Sequence, residues 1–121
     1  MSASKSHPAV LIVEDEWLVR MSAADALVDE GYDVVEAGDA EQALAQIAAR
    51  PDIALMFTDI NMPGDMDGIA LARAVHTMRP DIHIILTSGK KLPCTDHNAK
   101  AFVPKPYTPE HLLRLFDGAL N

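Results

Sequence analysis

The chain has 121 residues, of which 49% are hydrophobic and 23% charged, so we expect one soluble globular domain with no room for a second. The 18 Asp and Glu against 10 Lys and Arg give a formal net charge of -8, which disfavours direct binding to nucleic acid or to anionic membranes. The single cysteine cannot form an internal disulfide, and no apolar run reaches the ~18 residues of a membrane span. These features together predict a cytoplasmic protein.

The first part of the chain alternates apolar runs with helix-like patterns. A continuous apolar segment at 9–13 is typical of a strand that is covered on both faces, and three acids follow it. Apolar side chains at helical spacing follow at 17–30, with Gly31 in the position of a helix terminator. Residues 32–37 predict a second strand. Asp39, with a glutamine three residues later, predicts the start of the second helix.

The same alternation continues to the end of the chain. The apolar segment 53–57 predicts a third strand, and the helical pattern after it stops before Pro80. Residues 82–86 and 101–103 predict the fourth and fifth strands. Thr108, followed by a proline and a glutamate, predicts the start of the last helix.

Strands separated by helices predict a parallel sheet with right-handed crossovers, here a three-layer, doubly wound α/β fold with five strands. Ligands bind such sheets at the carboxyl ends of the strands. Three carboxylates gathered there would repel one another, so they would raise their own pKa values or bind a hard cation such as Mg²⁺. A lysine beside them suits a phosphoryl oxygen. The residues that follow the predicted strands are Glu14, Asp15, Asp59, Thr87, Ser88 and Lys105.

Four short segments carry a resemblance to a known family. Val13-Glu14-Asp15, Asp59-Ile60-Asn61-Met62-Pro63, Thr87-Ser88-Gly89 and Lys105-Pro106 occur in this order, each at the end of a predicted strand. In this combination the chain resembles, over nearly its whole length, the receiver domain of two-component response regulators. The resemblance implies a flavodoxin-like fold with strand order 2-1-3-4-5. We expect the receiver domain at residues 8–121 and a flexible N-terminal segment at 1–7.

The resemblance also implies which residues bind the metal ion and accept a phosphoryl group. Asp59 would be the phosphoacceptor. Mg²⁺ would be bound by Asp15, by the Asp59 carboxylate and by the backbone carbonyl of Asn61. Glu14 would act through a metal-bound water, which its longer side chain permits.

Three further residues match the family's positions for the response to phosphorylation. Lys105 would contact the phosphoryl group, and its bond to Pro106 would be cis, as is familiar in this family. Thr87 would rotate toward the phosphoryl group, and Phe102 would follow it as the aromatic switch.

The sequence departs from the family pattern in three places. The loop after Asp59 contains two residues, Gly64 and Asp65, where the family usually has one, so the acid could join the rim of the site. The segment 89–100 is about one helical turn shorter than usual and rich in turn formers, which predicts a short or irregular fourth helix. Phe102 replaces the common tyrosine and cannot donate a hydroxyl hydrogen bond.

The function implied by the resemblance is that of a single-domain response regulator, since no residues follow Asn121 to form an output domain. A sensor histidine kinase or a phosphotransfer protein would phosphorylate it, and it would switch the binding of an unidentified downstream protein. It would not be an enzyme beyond self-phosphorylation from donors and self-dephosphorylation. A receiver-like interaction module that acts without phosphorylation is the alternative, which the altered segment 89–100 keeps open.

Overall fold

The computed structural model describes residues 8–90, 99 and 101–120. The elements are β1 (Ala9–Val13), α1 (Trp17–Asp29), β2 (Asp33–Ala37), α2 (Ala40–Ala49), β3 (Ile53–Asp59), α3 (Gly68–Met78), β4 (His83–Ser88), β5 (Ala101–Pro104) and α4 (Pro109–Leu120). Within the described residues, strands and helices alternate as the sequence predicts from β1 to β4, and β5 is the next described element after β4.

The five strands form one parallel sheet in the order β2-β1-β3-β4-β5. The predicted strand order is therefore confirmed. The order places β3 in the middle, between β1 and β4. At the carboxyl edge, Val13 of β1 pairs with Thr58, and Asp59 of β3 pairs with Thr87 of β4. The ends of these three strands consequently lie side by side.

Two apolar clusters hold the helices on the two faces of the sheet. In β1, Leu11 and Val13 belong to the cluster that packs against α2 and α3, whereas Val10 and Ile12 belong to the cluster that packs against α1 and α4. Successive side chains of a strand point to opposite faces, so a strand between two helical layers is apolar at every position. The three-layer architecture is confirmed, and it explains why residues 9–13 carry no alternating pattern. None of the described helices is long and apolar enough to cross a membrane.

The strands β3 and β4 extend two residues further than the sequence predicts. Apolar character ends at Phe57 and Leu86, but β3 ends at Asp59 and β4 at Ser88. The added residues are polar and buried, and they belong to the sheet because Thr58, Asp59 and Thr87 pair between β3 and β4, while Ser88 pairs with β5. Strand length here is decided by pairing between strands, which a local apolar pattern does not record.

The predicted helix starts agree with the hydrogen bonds at the helix ends. Asp39 Oδ1 accepts a hydrogen bond from the Gln42 backbone N–H at 2.8 Å and caps α2. Thr108 Oγ1 accepts one from the His111 N–H at 3.1 Å and caps α4. Gly31, after α1, has a φ of 97°, the left-handed conformation in which glycine is favoured.

Two predictions concern residues outside the described ranges. The flexible N-terminal segment was predicted at 1–7, and the short or irregular fourth helix at 89–100, of which 91–98 and 100 are not described.

One glycine allows α3 to start directly behind the carboxyl end of β3. The Gly68 backbone N–H donates to the Ile60 carbonyl oxygen at 2.8 Å. A Cβ atom built on Gly68 would lie 2.1 Å from the Asp59 carbonyl oxygen and 2.7 Å from Ile60 Cα, both of them backbone atoms that cannot rotate away. The close approach of α3 to β3 therefore requires glycine at this position.

We expect Gly68→Ala to lower the free energy of unfolding by about 2 kcal/mol, because the added methyl group forces the backbone of α3 and β3 apart. Gly118→Ala in α4 is the matched control, since a Cβ there meets no atom within 4 Å. That substitution should be neutral or stabilising, because alanine restricts the unfolded chain more than glycine does. Urea unfolding of both variants measures the difference, and equal stability of the two would contradict the assigned close contact.

Candidate functional site

Three carboxylates meet at the carboxyl edge of the sheet. Glu14 and Asp15 follow β1, and Asp59 is the last residue of the neighbouring strand β3. One carboxylate oxygen from each lies within 4.8 Å of those of the other two. Glu14 and Asp59 are buried, whereas Asp15 is exposed. The predicted convergence of these acids is present in the structure, with the exposed Asp15 on its solvent side.

Lys105 brings a positive charge to the two buried carboxylates. Its Nζ lies 2.8 Å from Glu14 Oε1 and donates a hydrogen bond to Asp59 Oδ2 at 3.1 Å. The contact with Glu14 is an ion pair whose angles lie outside hydrogen-bond geometry. The backbone N–H of Lys105 donates to the Ser88 carbonyl at 2.9 Å, which fixes the lysine beyond β5, and the Lys105–Pro106 peptide bond is cis.

The pKa values of Lys105 and Glu14 show the competition between burial and charge. Burial alone lowers the pKa of Lys105, but its close contacts with the charged Glu14 and Asp59 carboxylates raise it above its ordinary value. Burial raises the pKa of Glu14, and the nearby Asp59 charge adds to the increase. Contacts with Lys105 and with the Glu16 N–H oppose this without cancelling it. The lysine therefore remains charged, while the carboxylates remain incompletely compensated.

The segment after Lys105 is anchored beneath the sheet by aromatic packing. The ring of Tyr107 meets Phe57 of β3 edge to face, with ring centroids 5.4 Å apart. Burial raises the pKa of Tyr107 to about 12, and the charge of Glu14 contributes to the shift. Sequence reasoning missed Tyr107, although its position two residues after Lys105 was a usable signal.

Asn61 connects the end of β3 to β4. Its backbone N–H donates to Asp59 Oδ1 at 3.2 Å, and its side-chain Nδ2 donates to Ser88 Oγ at 2.7 Å. Ser88 Oγ also accepts from the Lys90 N–H at 3.0 Å. Thus both oxygens of Asp59 have partners, and the hydroxyl of Ser88 joins the β3–α3 loop to the chain that leaves β4.

Thr87 has a buried hydroxyl without a hydrogen-bond partner among the described residues. The residue is 1% exposed and lies opposite Asp59 in the β3–β4 ladder. Phe102, in β5, pairs with Leu86 of β4, and its partly buried side chain packs against the apolar cluster below α2 and α3. A buried unpaired hydroxyl is costly, so Thr87 can donate to a new acceptor at the site.

Asp65, in the lengthened loop, is separate from the three clustered carboxylates. It lines a different groove with Asp39 and Glu41 of the α2 start. Asp65 is therefore not part of the carboxylate cluster, and its contribution to the rim of the site stays a prediction. Gly64, the neighbouring residue, has a φ of 104°, which turns the loop away toward α2.

An apolar surface adjoins the charged site. Trp17 and Leu18, at the start of α1, are 60% and 61% exposed, and Met21 is 42% exposed. Of these three residues, Leu18 lines a groove of about 530 Å³ between α1 and the start of α4. It is lined by Leu18, Val19, Ser22, Ala23, Ala26, Lys105, Pro106, Tyr107, Pro109 and Leu112. Because Lys105 belongs both to this groove and to the charged site, the two are continuous.

The sequence model of the response regulator receiver domain matches residues 10–117. The chain belongs to this family. The nitrogen assimilation regulatory protein NtrX of Azorhizobium caulinodans is 34% identical over 119 residues, which cover 93% of this chain. The chain spans 26% of that protein's own length.

Solved receiver structures have the same fold as this chain. A CheY-like response regulator receiver domain from Methanospirillum hungatei is 31% identical with a TM-score of 0.85, covering 95% of this chain and 94% of that one. The response regulator TrrA from Thermotoga maritima, crystallised with Mg²⁺ and BeF, is 26% identical with a TM-score of 0.84, covering 94% of this chain and all of that one.

Membership of this family has direct consequences for function. Receiver domains are the phosphoacceptor signalling domains of two-component systems, they interact with histidine kinases or phosphotransfer proteins, and they are not enzymes in the ordinary sense. They bind Mg²⁺ at an acidic pocket, and the cluster of Glu14, Asp15 and Asp59 is an acidic pocket of this kind.

The burial of Glu14 predicts a pH-dependent role for Lys105. We expect Lys105→Met to lower the free energy of unfolding by about 3 kcal/mol at pH 8, because two buried carboxylates lose their counter-charge. A carboxyl group whose pKa is higher in the folded than in the unfolded state destabilises the fold when it is ionised. This cost is largest above the folded pKa and disappears as the group is protonated. Protonation of Glu14 should therefore reduce the loss at pH 5.5.

Urea unfolding in EDTA at the two pH values measures this difference. Lys90→Met is the matched control, since Lys90 is exposed and only its backbone N–H contacts Ser88. A loss for Lys105→Met that is as large at pH 5.5 as at pH 8, or equal to that of the control, would contradict the electrostatic role.

Proposed function

We propose that the domain is a Mg²⁺-dependent phosphorylation switch in which Asp59 accepts the phosphoryl group. The observation that carries this proposal is the environment of the Asp59 carboxylate. It lies beside the carboxylates of Glu14 and Asp15, and it accepts a hydrogen bond from the ammonium of Lys105. Glu14 contacts the same ammonium, but burial raises its pKa and thereby disfavours the anion that attack requires. Asp59 accepts a hydrogen bond from the same ammonium at the end of the central strand, so we assign the attack to Asp59.

The donor set suits Mg²⁺. The cation prefers oxygen ligands, uses one or two carboxylates and keeps several waters, which leaves coordination positions for a phosphoryl oxygen. We assign as ligands Asp15, Asp59 and the backbone carbonyl of Asn61, with Glu14 acting through a water. The exposure of Asp15 and the burial of Glu14 support this division, since the cation must reach the site from solvent. When bound, Mg²⁺ supplies positive charge that neutralises the oxygens of the transferring group.

The transfer step requires little covalent chemistry from the protein. An Asp59 carboxylate oxygen forms a bond to phosphorus, the bond between phosphorus and the donor's histidine nitrogen breaks, and its electron pair remains on that nitrogen. The Lys105 ammonium, 3.1 Å from Asp59 Oδ2 before the reaction, stays beside the new phosphoryl oxygens. Positioning and charge neutralisation carry most of the catalysis in such transfers.

The response begins with Thr87. Phosphorylation replaces a carboxylate by a group with a charge of about -1.5 to -2 and three acceptor oxygens. The hydroxyl of Thr87 is buried, unpartnered among the described residues and adjacent to Asp59 in the ladder, so it is suited to donate to one of these oxygens. Phe102 pairs with the residue before Thr87, and we propose that its ring follows this movement and alters the surface.

Phosphorylation from acetyl phosphate tests the proposal directly. We expect one phosphoryl group per wild-type chain with Mg²⁺ and none with EDTA, as read by intact-protein mass spectrometry. Asp59→Asn should give no adduct, because an amide is not a nucleophile toward phosphorus.

The same adduct on Asp59→Asn would assign the acceptor to another residue. No adduct on the wild type, from acetyl phosphate or from a panel of histidine kinases, would favour an interaction module that acts without phosphorylation. Action without an attached output domain stays a prediction.

We further propose that the protein that donates the phosphoryl group packs on the apolar surface beside the site. Exposed apolar surfaces on soluble domains commonly mark contact sites, and this groove is lined by the exposed Leu18 and by small side chains of α1. The groove is continuous with the charged site through Lys105, so a partner seated in it lies within reach of Asp59. A helix with an apolar face fits a groove lined by small side chains of α1.

Ser22→Arg places a bulky charge in this groove and should slow transfer from a kinase active on the wild type by about tenfold, while phosphorylation by acetyl phosphate stays unchanged. Ser22→Ala is the control, and it should leave both rates unchanged. Equal slowing with both donors would show damage to the acceptor site instead of loss of docking.

A further inference from the structure

Arg20 joins three elements at the edge of the acidic pocket. It lies on α1, its Nη1 donates to the backbone carbonyl of Glu14 at 2.7 Å, and its Nε donates to Glu36 Oε1 of β2 at 3.0 Å. The side chain is 23% exposed and reaches over the end of β1. The planar guanidinium can satisfy both acceptors at once, because its donors point in fixed directions.

Arg20 contacts Glu14 just beyond the last paired residue of β1. The β1 ladder ends at Val13, which pairs with Ala37 on one side and Thr58 on the other. One residue later the Glu14 N–H still donates to the Ala37 carbonyl at 3.1 Å, but the Glu14 carbonyl takes the Arg20 Nη1 as its donor. The peptide unit between Glu14 and Asp15 is thus oriented by a side chain and not by a strand.

We infer that Arg20 is a positioning residue for the Mg²⁺ pocket. It fixes the peptide unit between Glu14 and Asp15, the two acids that follow β1, and so sets the separation of their carboxylates from Asp59 on β3. The inference rests on the proposed function, since Asp15 and Asp59 are assigned there as metal ligands. Residues that orient metal ligands without touching the metal typically change metal affinity by 10–100-fold when they are replaced.

Charge and position predict opposite results for the loss of Arg20. A cation near the pocket repels Mg²⁺, so if only its charge acted, Arg20→Met would bind Mg²⁺ more tightly. The ion pair with Glu36 already compensates that charge, which leaves orientation as the main contribution. Under the positioning role Arg20→Met binds Mg²⁺ more weakly, and Arg20→Lys does as well, because an ammonium keeps the charge but not the planar pair of donors.

A Mg²⁺ titration followed by amide NMR shifts at residues 14–16 and 59–61 measures the affinity. We expect a roughly tenfold weaker affinity for Arg20→Met and a several-fold weaker affinity for Arg20→Lys. The matched control is Arg50→Met, which removes the other arginine held by β2, through Asp33 at 2.7 Å, at the opposite end of the strand. That variant should bind Mg²⁺ like the wild type. Urea unfolding without metal compares the stability of all variants.

Three results of the Mg²⁺ titration would contradict the positioning role of Arg20. Unchanged or tighter binding by Arg20→Met, with a wild type that binds Mg²⁺, overturns the positioning role alone. Equal weakening by Arg50→Met also overturns it, because general loosening of β2 would then explain the effect. A wild type that does not bind Mg²⁺ overturns the proposed metal site together with this inference. If Arg20→Met does not fold, the affinity of Arg20→Lys relative to the wild type decides in the same way.

Discussion

The ammonium of Lys105 between two buried carboxylates is the interaction on which the rest of the site depends. Glu14 and Asp59 are nearly inaccessible to water, so their charges must be compensated from within the protein. Lys105 provides one positive charge for both, and burial keeps the pKa of Glu14 raised in spite of this partner. An incompletely neutralised acid pair favours the arrival of a further cation, which connects the electrostatics of the resting domain to its proposed metal dependence.

The sheet makes this arrangement possible. The acids come from β1 and β3, which are neighbours, whereas Lys105 comes from beyond β5 and is held by the Ser88 carbonyl at the end of β4. The absence of a side chain at Gly68 lets α3 begin close behind Asp59, so this carboxylate lies on a closely packed edge of the sheet. Arg20 holds the chain for one further peptide past β1. Precise placement of charge on a rigid scaffold is what phosphoryl transfer requires.

Local patterns predicted the types of element and the polar residues at the strand ends. The continuous apolar run of β1 and the caps at Asp39 and Thr108 are signals within a few residues of sequence, and their physical cause is equally local. The ends of the strands were harder to predict from these local patterns. Thr87 belongs to β4 because it pairs with Asp59, and an apolar pattern that stops at Leu86 contains no information about that partner.

Arg20 and Asp65 are further examples of residues whose contacts cannot be predicted from the neighbouring sequence. Nothing near Arg20 in the sequence indicates that its guanidinium contacts the carbonyl of Glu14 and the carboxylate of Glu36. Asp65 follows Asp59 by six residues in the sequence, yet it lines a groove with residues at the start of α2. Local sequence patterns are sufficient to predict the fold class, the order of the elements and the residue types at the sheet edge, because backbone propensity and burial periodicity act over short distances. They do not predict which of these side chains touch, because contacts across strands depend on register and on loop direction, which are set by pairing between distant segments.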